Sequence, residues 1–165
     1  MEPMLEVRLS SSYPIGTNPP VLILHNIMMD PASMRGLLSD MMDASGPSKL
    51  MLVTVCVVTH IEHVQWVLAN LIYGDKRMSG ESHNMFAYRF FANDIVNGRI
   101  MLDNDDNGER GAGNKLSSLL EACRTKNVLV VVSRWFGGVH LGPVRFKWIA
   151  SMARDGLEWG GFIGR

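Results

Sequence analysis

Few stretches of this chain carry residue types that could do chemistry. Asp103-Asn104-Asp105-Asp106-Asn107-Gly108 has the alternating oxygen donors and turn glycine of a calcium loop. The bidentate carboxylate that closes such a loop would fall at Asn114, an amide, so the pattern reads as an acidic surface turn. Gly108 and Gly113 have the separation of the outer glycines of a phosphate-binding P-loop, but Asn114 and Lys115 stand where Lys and Ser or Thr are required. The glycines instead let the chain turn tightly into a helix whose N-terminal amides could hold an anion. His60 and His63, three apart at a helix start, could share a face toward a metal, yet nothing nearby supplies further ligands. No metal or cofactor is expected. GxSxG, HExxH and Cys/His signatures are missing, so no nucleophile can be named and the chain does not read as an enzyme.

The most informative stretch runs from Val131 to Lys147, a buried strand passing through a glycine-rich loop into a helix N-terminus. Arg134, Arg145 and Lys147 offer cations, Trp135 and Phe136 offer stacking surfaces, and Gly137, Gly138 and His140 line the loop between them. That combination suits phosphate contact and base stacking, so these residues are the candidate partner- or RNA-binding set.

The elements that must position these residues follow from composition and periodicity. With 165 residues, 47% hydrophobic and 19% charged, and a mean hydropathy of +0.07, the chain can pack a core and is not a polyelectrolyte. Its zero net charge is a cancellation: residues 1–114 hold 8 basic and 13 acidic side chains, residues 115–165 hold 8 and 3. The basic C-terminal part could steer an anionic partner. Val128–Val132 and Val21–Leu24 are the longest apolar runs, far below the roughly 18–20 residues that cross a bilayer, so no membrane contact is expected. Residues 1–6 lack the basic and apolar regions of a secretory signal, which points to the cytoplasm. Cys56 and Cys123 sit in apolar patterns and read as buried free thiols.

Leu5–Leu9 and Val21–His25 read as strands around a Pro/Gly/Ser turn region, and Met34, Leu37, Leu38, Met41 and Met42 follow at helical spacing after Asp30-Pro31. Ala44–Ser48 is the candidate boundary, giving expected units at 1–46 and 47–160. Met51–Thr59 reads as a strand, and Thr59–Glu62 as a capping box opening a helix that ends near Gly74. Asn84–Ala92 and Arg99–Leu102 should form a hairpin across Asn97-Gly98. Leu116, Leu119, Leu120 and Cys123 share one face of a helix. Asn127–Ser133 is apolar at every interior position, as expected of a central strand, and Pro143 opens the last helix. The order β-α-β-β-α-β-α predicts an α/β (α+β) two-layer sandwich.

Ser82-His83-Asn84, Asp106-Asn107-Gly108-Glu109, and Asn127 through Gly138 followed by Leu141-Gly142-Pro143-x-Arg145-Phe146 resemble, in order and spacing, the signature segments of the Impact (imprinted and ancient) family. The likeness spans about 49–158. Asn107 and Arg110-Gly111 depart from the family pattern, which has a second Asp and a Thr-Ala type pair there. Tyr13-Pro14 and Pro19-Pro20 resemble the turn of an RWD domain, of which residues 1–46 look like the second half. A sheet lacking its leading strands leaves an edge open, so Leu5–Leu9 and Val21–His25 need somewhere to pair.

The resemblance implies a fold similar to domain four of elongation factor G, with a left-handed βαβ arrangement also found in ribosomal proteins. It implies a translation regulator that binds the ribosome-associated activator of the amino-acid-starvation kinase and restrains phosphorylation of the initiation factor's α-subunit. An RNA- or ribosome-binding module is the rival, and an enzyme would require Asp106, Glu109 and His83 to converge on one pocket.

Overall fold

The computed structural model describes residues 5–8, 21–24, 51–74, 76–79, 82–92, 98–135 and 142–164. In chain order these carry β1 (Leu5–Arg8), β2 (Val21–Leu24), β3 (Met51–Val57), α1 (Ile61–Val67) continued by a π-helical turn (Leu68–Ile72), α2 (Lys76–Ser79), β4 (Ser82–Phe91), β5 (Ile100–Asp105), α3 (Ala112–Ala122), β6 (Val128–Trp135) and α4 (Val144–Trp159). The strands form one sheet in the order β1-β2-β3-β6-β4-β5. Every pairing is antiparallel except β2 with β3.

β6 lies between β3 and β4, and each of its residues from Val128 to Arg134 is buried. That burial is the physical reason for its unbroken apolar run: with helices over both faces, neither set of alternating side chains meets water. One face gathers Leu52, Cys56, Tyr88, Phe90, Leu129 and Val131 beneath Val64, Val67 and Ile72. The other gathers Val53, Val55, Met85, Ala87, Val128, Val130 and Val132 beneath Leu116 and Leu120 of α3 and Ile149, Ala153 and Leu157 of α4. The α+β sandwich is therefore present, but with helices on both sides of the sheet it has three layers rather than the expected two. The expected β4–β5 pairing forms, from Phe86↔Asp105 to Phe91↔Ile100, while Asn97 of the expected turn lies outside the described residues. Cys56 is buried, Cys123 is half-buried, and both are free thiols.

The strands Leu5–Arg8 and Val21–Leu24 extend this same sheet: β2 runs parallel to β3 from Val21↔Val53 to Leu24↔Cys56, and β1 pairs outside it. The RWD-like turn residues Tyr13, Pro14, Pro19 and Pro20, and the expected helix after Asp30, lie outside the described residues.

Three local expectations need correction. The capping box does not form, because α1 starts at Ile61 with His60 as its cap and no side-chain cap bond, while the Thr59 hydroxyl lies 3.3 Å from His63 Nδ1. The helix does not run uniformly to Gly74: it widens into the π turn, where the Tyr73 N–H donates to the Leu68 carbonyl at 2.9 Å. β5 reaches Asp105, so the first half of the apparent calcium loop is strand.

Candidate functional site

The acidic turn and the glycine-rich stretch, separate in sequence, meet at one end of the sheet. β4 and β6 place His83 opposite Arg134, and Asn84 opposite Ser133. As β5 ends, Asn107 continues its ladder: the Asn84 N–H donates to Asn107 Oδ1 at 2.8 Å, and His83 Nδ1 lies 2.8 Å from the Asn107 carbonyl. Asn107 adopts φ 43°, a left-handed conformation that asparagine tolerates better than most residues.

Asp106 then turns inward. Its carboxylate accepts from the Gly111 N–H at 2.9 Å and the Gly113 N–H at 2.7 Å, so the anion at the N-terminus of α3 is the protein's own. Gly111 at φ 90° makes this reversal without Cβ strain. Gly113 is required for another reason: a Cβ there would stand 2.6 Å from Asn104 Oδ1 and 2.9 Å from Asp106 Oδ1. The expectation of free helix amides awaiting an external anion is thereby corrected.

Glu109 is the centre of the cluster. One carboxylate oxygen accepts from Arg134 Nη1 and the other from Arg145 Nε, with Glu109 and Arg134 both buried. Burial alone would raise the Glu109 carboxyl, but hydrogen bonds from Arg145 and Arg134, together with their charges, hold it below the ordinary carboxylate range. Arg145 also donates through Nη1 to the Gly142 carbonyl at 2.7 Å, and its guanidinium carbon lies 4.4 Å from the centroid of Phe146. Glu109, Arg134 and Arg145 each lie in a recognisable motif, but only the fold joins those motifs.

The geometry reassigns the candidate residues. Arg134 is a buried ion-pair partner, and Trp135 is half-buried against the α1 side of the core. Arg145 keeps part of its side chain at the surface, and Lys147 is exposed on α4. Phe136, Gly137, Gly138 and His140 lie outside the described residues. Asp106, Glu109 and His83 do gather at one end of the sheet, but each is engaged with the protein itself: with helix amides, two guanidiniums and a backbone carbonyl respectively. His60 and His63 meet edge to face, 5.3 Å between centroids.

A model of the Impact N-terminal domain matches residues 49–157. The Protein IMPACT homolog of Schizosaccharomyces pombe is 49% identical over 96 residues, covering 58% of this chain and 33% of that protein. Protein IMPACT of Rattus norvegicus is 45% identical over 98 residues, covering 59% and 30%, and that of Homo sapiens is 44% identical over 94 residues, covering 57% and 28%. These alignments span about a third of the length of the relatives. A solved structure of the two-domain translational regulator Yih1 is 35% identical, covers 67% of this chain and 42% of its own, and superposes with a TM-score of 0.47. The match takes in β3 through α4, every element that builds the Glu109 cluster, and the chain belongs to the Impact N-terminal domain family.

Proposed function

We propose that this chain is a non-enzymatic regulator of translation that works by protein contact in the cytoplasm. The family match over 49–157 carries the reading. By resemblance, its partner is the ribosome-associated activator of the amino-acid-starvation kinase, and its effect is to lower phosphorylation of the initiation factor's α-subunit. The ion-paired Arg134 and the self-capped α3 support a protein-contact reading over an RNA-binding one, because a guanidinium neutralised by a buried carboxylate adds little to phosphate affinity. Residues 1–46 are proposed as an RWD-derived unit preceding the Impact domain. Co-precipitation of the tagged chain from starved cells tests the reading: the activator is expected in the bound fraction, and its absence there overturns the proposed partner.

A further inference from the structure

β5 is a terminal strand of the sheet, and its exposed side chains follow a pattern. Ile100 is 39% and Leu102 47% exposed on one face, while Arg99 and Asp103 are exposed on the other. The direction of its backbone groups is fixed by the hairpin. Ala92 N–H donates to the Arg99 carbonyl at 3.0 Å, so Arg99, Met101 and Asp103 turn their backbone groups toward β4. Ile100 and Leu102 therefore turn theirs outward, where no described strand lies beyond them. An edge of this kind is a template for a further strand.

We propose that the further strand is β5 of a second copy of this chain, antiparallel, about a two-fold axis at Met101. The register follows from the residue types. Ile100 falls opposite Leu102 of the second copy, so the outward backbone groups of each such pair exchange two hydrogen bonds, and symmetry repeats the pair. Met101 meets Met101 on the other face. Arg99 falls opposite Asp103 in a pair without backbone hydrogen bonds, the geometry in which side chains approach most closely. Apolar residues thus meet apolar ones and opposite charges meet at both ends. Shifting the axis to Asp103 would set Asp103 against Asp103, and shifting it to Leu102 would set Ile100 against Asn104. In this register Asn104 falls opposite Gly98 of the second copy, and its outward N–H is already held by Asp103 Oδ1 at 2.8 Å, so the exchanged bonds are centred on the Ile100–Leu102 pairs.

Sedimentation of the chain from ~1 to ~500 µM, where a small interface dissociates, tests this. The parent is expected to dimerise with rising concentration. Arg99→Asp and Asp103→Arg should each weaken the dimer by about tenfold or more, and mixing these two variants should restore it, since both cross-strand pairs are then opposite in charge. Leu102→Pro deletes an outward N–H that β4 does not use and should also abolish pairing. A parent monomeric throughout the range, singles that dimerise like the parent, or a mixture that stays monomeric would each overturn the proposal; the first would leave the edge to a strand of a different protein.

Discussion

Glu109 joins the strand β6, the turn after β5 and the start of α4 through one carboxylate. Removing it leaves Arg134 buried with an uncompensated charge, so Glu109→Ala should destabilise the fold by about 3 kcal/mol or more, read by urea denaturation at neutral pH. The pH dependence has a definite sign. The folded carboxyl titrates below its ordinary value of 4.5, so its contribution is complete above that value and is lost as pH falls through the lowered one. The gap between parent and variant should therefore close in acid, and a gap independent of pH would refute the ion-pair role. Thr54 is the opposite case: its hydroxyl is fully buried on the β3 face shared with Ser133 and has no hydrogen-bond partner among the described residues. Thr54→Val should leave stability unchanged or raise it by about 1 kcal/mol in the same measurement. None of this was legible at the residue scale. Glu109 and Arg134 stand 25 positions apart, and no local pattern reports that two motifs meet.

At the scale of elements, legibility followed periodicity. β6 declared itself by continuous apolar residues, α3 and α4 by their stripes, and β4 by the alternation of Phe86, Tyr88 and Phe90. What escaped was set by geometry that periodicity does not encode. The π turn after α1 places an extra residue in the helix path, and Asn70 Nδ2 donates to the Trp66 carbonyl at 2.9 Å within it. β5 outran its apolar residues because β4 pairs with its acidic half as readily as with Ile100–Leu102. The start of α3 is held from outside, five and seven residues back along the chain, a cap that no local box describes. Asp106→Ala should cost about 1–2 kcal/mol, with loss of helical signal from α3 in hydrogen exchange; a variant as stable as the parent would show that solvent satisfies those amides equally well.

For the whole molecule, the boundary suggested at Ala44–Ser48 does not coincide with a break in the sheet, since β1 and β2 continue it through β3. The zero net charge conceals a division that the fold partly resolves: Glu109 of the acidic part neutralises cations of the basic part inside the protein. The family was legible because its segments carry unusual residue runs. The site was only half legible, because the same runs serve burial and ion pairing as much as recognition. The proposed regulation of translation is read at phosphorylation of the initiation factor's α-subunit in amino-acid-starved cells that overexpress the chain. Phosphorylation should fall relative to cells without it, and an unchanged level at comparable kinase and activator abundance would contradict the claim.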